Sequence, residues 1–418
     1  MTDAANVANP LKPLHEARGA VLDAMERRPS VEVPLADALN RVTAAPVVAT
    51  EAVPPFANSA MDGFAVRSGD IDKVPMTLDV IEDVPAGSVP TRQVGPGQAT
   101  RIMTGAPMPG GGDAIVMVED TSTVEGSRVE IRAVPLEGAH VRPAGGDIAV
   151  GDVVVGAGVR LTARHLASIA SATGTVAVAQ PPVVAIMSTG DEVVPPDTGS
   201  LEPGMIRDTN RVMVASMLDG LRIPTIDLGI IGDDLESLRN AYRQAANEAD
   251  LIISTGGVSM GDYDFVKQIL GETGSVEFWR VAMQPAKPFA FGSVDGVPLF
   301  GLPGNPVSTF VAFEQFVRPA LLHMMGATKL LRPRIRGTMG EDVATSDAKE
   351  VFLRVLLAHD DSGFVALKSG AQGSNVLSAL ANADAFAVVP VGEANVTAGE
   401  PVMLEMFTWD EDRTHNDD

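Results

Sequence analysis

Between residues 183 and 325, short apolar runs alternate with longer segments of helical periodicity. The predicted elements follow in the order strand Val183–Met187, helix Asn210–Leu218, strand Thr225–Ile231, helix Leu235–Glu248, strand Leu251–Ser254, helix Phe265–Leu270, strand Pro298–Gly301 and helix Val307–Met325. This alternation predicts a mostly parallel, three-layer α/β domain, because each parallel connection needs a crossover. Ligands of such sheets bind beyond the carboxyl ends of the strands, so we expect a functional site at that edge.

The remainder of the 418 residues predicts additional domains, since single cores stop growing at roughly 250–300 residues. Val/Ile-rich runs broken by Pro and Gly indicate two β-rich regions, one before the α/β block and one after it. The predicted boundaries are a discontinuous elongated N-terminal domain at 10–45 and 147–180, an inserted β-rich domain at 46–146, the α/β domain at 181–330, a C-terminal β-barrel-like domain at 331–408 and a polar tail at 409–418.

The formal net charge of −23 argues against nucleic-acid binding, which needs clustered Lys and Arg to neutralise phosphates. An anionic ligand would therefore depend on local cations, backbone amides, helix starts or a divalent metal. The chain has no cysteine and only six scattered histidines, so a zinc site of the usual Cys/His kind is not expected. The N-terminus lacks the features of a signal peptide, and no apolar run approaches membrane-spanning length, which predicts a cytoplasmic protein.

Small and polar residues form the loops at the expected edge of the sheet. These loops are Ser188–Glu192, Asp208–Arg211, Ser254–Asp264 and Gly301–Pro306. Glycines after a strand let the backbone approach a phosphate, and the following helix start supplies N–H donors. The third loop matches neither a Walker A motif nor a dinucleotide fingerprint, and Asp208 or Thr209 is first of all a helix cap. The pattern favours a phosphorylated ligand, with ordinary turns as the plainer interpretation.

Charged side chains surround the same loops. The carboxylates are Asp191, Glu192, Asp233, Asp262 and Asp264. Bare carboxylates repel phosphate, so a cluster beside a phosphate cradle predicts an intervening Mg²⁺-like cation, unless most of these residues are solvated turn residues. Arg280 and Lys287 could complement the charge of an anion.

Six separated motifs, taken in order, resemble the molybdopterin molybdenumtransferases, the family of bacterial MoeA and the gephyrin E domain. The motifs are the four loops above together with Asn58–Ala65 and Arg101–Ala106, and the resemblance runs from about Leu11 to about Leu404. It implies a homodimer of protomers with a discontinuous elongated domain, an inserted β domain, an α/β domain related to molybdopterin adenylyltransferases and a C-terminal β domain.

The resemblance also implies a reaction in molybdenum cofactor biosynthesis. Family members take adenylylated molybdopterin and molybdate, release AMP and leave molybdenum on the dithiolene. Two alternatives stay open, namely molybdopterin adenylylation and a non-catalytic scaffold like gephyrin. The full-length architecture argues against the first, and the retained acids Asp62, Glu192 and Asp264 argue against the second.

The resemblance and the composition of the loops together assign site residues. The expected catalytic residues are Asp62, Thr104, Glu192, Asp233 and Asp264, with Asp62 and Thr104 facing the partner's α/β domain. The expected substrate-binding residues are Asp147, Gly256, Gly257, Ser259, Arg280, Lys287, Pro303, Gly304, Asn305, Pro306, Arg354 and Ser374. We expect Mg²⁺ on the pyrophosphate to be held by Asp191, Glu192 and Asp264.

The chain departs from the family pattern close to these residues. Gln284 stands where well-known bacterial members carry a lysine, and Ala286 stands where they carry a glycine. A glutamine has no charge with which to bind an anion. Lys287 and Arg354 are therefore the expected ligands of molybdate.

Overall fold

The computed structural model of the chain describes residues 11–124, 126–256, 274–360 and 363–407.

The two segments that flank the inserted region are joined by antiparallel pairing. Strand β1 pairs with β12, and β2 pairs with β11. The elements of this elongated part are α1 (Leu14–Asp23), β1 (Ser30–Pro34), β2 (Val47–Val48), β11 (Val153–Val155), α2 (Ala163–Ala172) and β12 (Thr175–Ala179).

The inserted part is β-rich, as predicted. Its sheet has the strand order β7-β4-β6-β5-β9-β8, and a short pair, β3 with β10, lies beside it. The strands are β3 (Asn58–Ser59), β4 (Gly63–Val66), β5 (Met76–Val84), β6 (Gln98–Ile102), β7 (Ala114–Met117), β8 (Thr121–Val124), β9 (Arg128–Ile131) and β10 (Val141–Arg142). Val66, Leu78 and Ile131 are buried in its core.

The predicted parallel sheet is present, and it is extended by an antiparallel hairpin. The strand order is β16-β13-β17-β21-β20-β18. The first four strands are parallel to one another, and β20 is antiparallel to both of its neighbours, β21 and β18. The strands of this region are β13 (Val184–Thr189), β14 (Val193–Val194), β15 (Ile206–Arg207), β16 (Thr225–Ile231), β17 (Leu251–Thr255), β18 (Gly274–Arg280), β19 (Met283–Gln284), β20 (Pro288–Val294) and β21 (Val297–Leu302).

The sequence prediction omitted β18 and β20. The sequence nevertheless contains a hairpin signal, the dipeptide Asp295-Gly296. Both residues have a positive φ, 48° and 85°, as two-residue hairpin turns require. This turn joins β20 to β21 and adds the antiparallel edge to the sheet.

Helices cover both faces of the sheet. They are α3 (Asn210–Asp219), α4 (Leu235–Glu248), α5 (Pro306–Ala312) and α6 (Arg318–Met324). A π-helical turn, Phe313–Val317, connects α5 to α6, so the helix predicted over 307–325 is correct in extent but not uniform in its winding. Strands β13 and β17 are buried along their whole length, as expected for strands covered on both sides. None of the helices in the described ranges is long and apolar enough to span a membrane.

The C-terminal part forms a closed five-stranded barrel. The barrel order is β24-β25-β22-β28-β26, and β26 pairs with β24 to close the ring. Its elements are β22 (Arg334–Met339), β23 (Val343–Ala344), β24 (Glu350–Asp360), β25 (Gly363–Lys368), α7 (Leu377–Ala381), β26 (Ala385–Val389), β27 (Asn395–Val396) and β28 (Pro401–Met406). Strand β19, which lies between β18 and β20 along the chain, pairs in parallel with β24. The α/β and barrel parts are therefore connected by main-chain hydrogen bonding.

Candidate active site at the carboxyl edge of the sheet

The carboxyl edge of the sheet changes in charge from one end to the other. Acidic residues follow β13 and β16, glycines follow β17 and lie beyond β21, and cations lie at the end of β18 and just before β20. Because β16 and β18 are the two outer strands, the acids and cations occupy opposite halves of one edge. We call these the acidic half and the basic half.

In the acidic half, the loops of two neighbouring strands hold each other in place. The amide of Asp233 donates to Asp191 Oδ1 over 3.0 Å, and the amide of Gly190 donates to the Ile231 carbonyl over 3.3 Å. A Cβ on Gly190 would lie 2.7 Å from Glu192 Oε2, so the Glu192 carboxylate rests against this backbone. The structure therefore brings together three of the predicted acids.

The carboxylates Asp191 and Glu192 are of the ligand type that Mg²⁺ takes, and they could hold Mg²⁺ only with further ligands. Magnesium commonly takes one or two protein carboxylates and completes its octahedron with phosphate oxygens and water. In the described ranges, no group of three or more Asp, Glu or His is close enough to hold a metal ion by itself. The predicted third ligand, Asp264, lies outside the described residues, as do Asp262, Gly257 and Ser259.

In the centre of the edge, the loops after β17 and β21 approach each other closely. Gly256 has a φ of +91°, and a Cβ there would come within 2.6 Å of the Thr189 carbonyl oxygen. A Cβ on Gly304 would lie 3.9 Å from the Cα of Gly256. Asn210 Nδ2 donates to the Gly304 carbonyl over 2.7 Å, which ties the loop to the start of α3. The centre thus needs glycine at residue 256 and is fixed by an amide side chain that sequence reasoning missed.

A buried polar network lies beneath these loops. Ser188 Oγ donates to Asp208 Oδ1 and contacts Thr255 Oγ1, each over 3.0 Å. Asp208 also accepts from the Arg211 amide and from Arg211 Nε, over 3.0 and 2.8 Å. Asp208 thus satisfies one amide at the start of α3, although the residue directly before the helix is Thr209, whose side chain makes no capping bond. The contact with Ser188 was not predicted. The sequence indicates it only through polar residues at the ends of buried strands, which do not specify their partners.

The loop Pro303–Pro306 leads into helix α5, whose first residue is Pro306. The next amide, on Val307, donates to the Ser374 carbonyl of the barrel part over 3.1 Å. This amide is therefore bound within the protein, so it is not one of the helix-start amides that could support a phosphate. Ser374 contributes to the site by holding the helix start, and Asn305 lies beside it, mostly exposed.

Arg354 on β24 is almost fully buried, with 1% of its surface exposed. Its Nη2 donates to the carbonyls of Ala371 and Gly373 over 2.9 and 3.2 Å, so it holds the segment that carries Ser374. Its Nε has no hydrogen-bond partner in the described parts of the chain. Burial lowers the pKa of this guanidinium. A buried N–H without a partner costs about 1–3 kcal/mol, and an oxyanion oxygen would relieve this cost.

In the basic half, Arg280 and Lys287 lie at the end of the β18–β20 pair where residues 281–287 connect the two strands. The register pairs Arg280 with Pro288, and the Val281 amide donates to the Lys287 carbonyl over 2.8 Å. Desolvation, followed by repulsion from Arg280 and Lys349, lowers the pKa of Lys287. Ala286 has a φ of +69°, a left-handed conformation that favours glycine and explains the glycine of the family pattern at this residue.

The predicted pair in the inserted domain is present as a pair. Asp62 Oδ1 accepts from the amide and the hydroxyl of Thr104 over 2.7 and 2.8 Å. These two bonds, with the backbone bond the larger cause, lower the pKa of Asp62. Within the described residues, no hydrogen bond or ion pair links either side chain to the sheet edge. Asp147 lies farther along the chain, where its amide donates to the Val53 carbonyl over 3.0 Å.

Comparisons with known proteins give one consistent result. Three protein-family models match in order, described as the MoeA N-terminal region (domain I and II) at residues 12–173, a probable molybdopterin binding domain at 185–323 and the MoeA C-terminal region (domain IV) at 336–407.

Curated relatives match over nearly their whole length. The chain is 36% identical to the molybdopterin molybdenumtransferase of Haemophilus influenzae, covering 94% of this chain and 98% of the relative. It is 37% identical to molybdopterin molybdenumtransferase 2 of Mycobacterium tuberculosis, covering 96% and 100%. A crystal structure of the molybdopterin biosynthesis MoeA protein from Pyrococcus horikoshii matches with a TM-score of 0.79 at 31% identity, covering 96% and 100%.

The predicted family and fold class are both confirmed by these matches. The inserted β domain, the α/β domain and the closed barrel occur in the order that the resemblance implied. The chain therefore belongs to the molybdopterin molybdenumtransferase family, the family of MoeA, whose role is in molybdenum cofactor biosynthesis.

Proposed function

We propose that this protein transfers molybdenum from molybdate to adenylylated molybdopterin with release of AMP. The observation that carries the proposal is the division of the sheet edge into an acidic and a basic half. The substrate is a pterin nucleotide with a pyrophosphate, and the second reactant is a free oxyanion. A site for both needs carboxylates for a metal on the pyrophosphate and separate cations for the oxyanion.

The acidic half would hold Mg²⁺ through Asp191 and Glu192, and Mg²⁺ would supply neutralisation of the pyrophosphate charge. The bond from Asp233 N to Asp191 Oδ1 orients the first carboxylate before substrate arrives. Gly304 leaves room for the ligand between the halves, since among the described residues only the Cα of Gly256, 3.9 Å away, approaches a Cβ there, whereas glycine at 256 serves the close approach to Thr189. Water then adds across the anhydride bond: its oxygen joins one phosphorus, and the bridging oxygen leaves with the other phosphate. Positioning and charge neutralisation carry this step without a protein nucleophile.

The basic half would hold molybdate close to the dithiolene. Arg280 and Lys287 supply positive charge at the hairpin end, and Arg354 Nε is a buried donor without a partner in the described ranges. These groups keep the oxyanion away from the acids across the edge. Separation of the two reactant sites prevents molybdate from competing with the pyrophosphate for the metal.

We also propose that the active unit is a homodimer with shared sites. Asp62 and Thr104 are exposed and already hydrogen-bonded to each other. The two bonds fix the orientation of the Asp62 carboxylate, which can then contact a ligand bound at the sheet edge of the partner subunit. Asp62 would stay ionised well into the acidic range because its pKa is lowered.

The test is incubation with purified adenylylated molybdopterin, molybdate and Mg²⁺, following AMP by chromatography. We expect AMP release that depends on molybdate. ATP consumption with pyrophosphate release would instead indicate the adenylyltransferase reaction. A protein that gives no turnover and captures a peptide partner would be a scaffold, and the proposal would be wrong.

A further inference from the structure

A cation that the sequence motifs did not indicate lies in the basic half. Lys349 immediately precedes β24, and its Nζ donates to Gln284 Oε1 over 3.4 Å. The contact arises because β19 pairs with β24, with Gln284 opposite Val351 and Met283 opposite Glu350. A residue of the barrel part is thereby carried to the end of the α/β sheet.

Lys349 joins Arg280 and Lys287 in one cluster of like charge. Repulsion from both Arg280 and Lys349 contributes to the lowered pKa of Lys287, after desolvation. The ammonium groups of Lys287 and Lys349 have no carboxylate within the ion-pair limit of 4.0 Å in the part of the chain that the structure describes. The adjacent acid, Glu350, is paired with Arg334 over 3.4 Å instead.

Such a cluster is unexpected in this protein on electrostatic grounds. The chain carries 54 acidic and 31 basic residues, so most cations have carboxylates available to them. Lys287 and Lys349 are like charges kept close, with no carboxylate at ion-pair distance from either in the described residues, and their repulsion destabilises the fold unless a bound anion offsets it. The cluster therefore points to an anionic ligand.

The place of the cluster identifies the ligand site to which it belongs. The register of β20 with β21 pairs Ala290 with Gly301, so Lys287 lies near the end of β21 that leads into Pro303. Lys349 is half-buried, and Gln284 beside it is exposed. The ammonium group is thus held at a solvent-accessible edge of the site rather than inside the barrel.

We propose that Lys349, aimed by Gln284, binds a tetrahedral oxyanion together with Arg280 and Lys287. The inference rests on the proposed function for the choice of oxyanion, which is either free molybdate or a phosphate of the pterin nucleotide. Both carry tetrahedral oxygens and negative charge, and an ammonium group donates equally well to either. Gln284 contributes no charge itself and acts by fixing the direction of Lys349.

The first experiment measures binding without turnover. Isothermal titration of the full chain with sodium molybdate and, separately, with AMP is carried out for the native protein, Lys349→Ala and the control Lys73→Ala. Lys73 is an exposed lysine of the inserted domain. We expect Lys349→Ala to weaken binding of one of the two ligands about tenfold, and the control to change neither.

The ligand affected identifies the source of the oxyanion. A loss confined to molybdate assigns Lys349 to the free oxyanion, and a loss confined to AMP assigns it to the phosphate. Unchanged binding of both ligands by Lys349→Ala, or no measurable binding of either by the native protein, overturns the proposal. Unfolding curves of each variant show whether an affinity loss reflects damage to the fold.

The second experiment moves the charge across the contact. In the double variant Gln284→Lys with Lys349→Ala, the ammonium group comes from the opposite side of the same contact, and we expect affinity to return to within about threefold of native. Gln284→Lys alone should gain little, because the added lysine repels Lys349. A double variant that folds normally and binds as weakly as Lys349→Ala overturns the role of this contact. Normal binding without AMP release would contradict the proposed function alone.

Discussion

The two halves of the sheet edge are built in different ways. In the acidic half, loops of neighbouring parallel strands hold Asp191 and Asp233 together by a main-chain donor. In the basic half, the cations come from an antiparallel hairpin and from the barrel, and a side-chain contact between Gln284 and Lys349 crosses the junction. The acidic half is thus a local product of one sheet. The basic half depends on two parts of the chain staying docked.

The largest expected effect tests the acidic half. Glu192→Gln keeps the side-chain size but removes the charge that would help to hold Mg²⁺ on the pyrophosphate. We expect AMP release to slow about a hundredfold or more, as for loss of one electrostatic contact to a transition state. Single-turnover chromatography of AMP measures the rate, and molybdate binding by titration should stay native. A near-native rate would remove Glu192 from the proposed mechanism.

A mixed dimer tests whether the inserted domain completes the partner's edge. Asp62→Ala and Glu192→Gln should each be nearly inactive alone. If sites are shared across a dimer, co-refolded mixtures contain heterodimers with one intact site, which restores about a quarter of native activity. Mixing folded proteins without subunit exchange is the control. Activity no higher than that of the single variants would show that Asp62 and Glu192 act within one chain.

Gly256→Ala tests the centre of the edge. The added Cβ would lie 2.6 Å from the Thr189 carbonyl oxygen, at a φ of +91° that L-residues rarely adopt. We expect a loss of about 2–3 kcal/mol in the free energy of unfolding, measured by urea denaturation. Gly87→Ala is a useful control, since it also has a positive φ, +84°, but has open space around the added atom. Equal losses in the two variants would mean that the approach to Thr189 is not what requires glycine.

The smallest effect concerns the basic half. Ala286→Gly relieves a left-handed alanine, worth about 1–2 kcal/mol, against an unfolded-state entropy cost of about 0.4–1 kcal/mol. We expect a net stabilisation of about 0.5–1 kcal/mol in urea denaturation. Ala24→Gly, at the end of α1 with an ordinary helical φ of −86°, should destabilise instead. No gain for Ala286→Gly would show that the surrounding chain already relieves the strain.

The contrast between the halves also explains what the sequence could predict. The acids follow buried strands directly, so periodicity and loop composition placed Asp191 and Asp233 at one edge. Lys349 was not foreseeable, because its position depends on pairing between β19 and β24, which brings it to Gln284 from 65 residues away along the chain. The bond from Val307 to Ser374 was missed for the same reason. Contacts within one sheet follow from the hydrophobic periodicity of its strands, whereas contacts between the α/β part and the barrel depend on how the two parts pack together.

The pairing of β19 with β24 has a consequence for protein engineering. A fragment ending at Lys329 would retain Asp191, Glu192 and the glycine loops, yet it would lack Arg354, Lys349 and the strand that pairs with Gln284. Such a fragment could present the metal-binding carboxylates but not the complete set of cations. The smallest unit that can be excised with the oxyanion site intact therefore extends through the barrel.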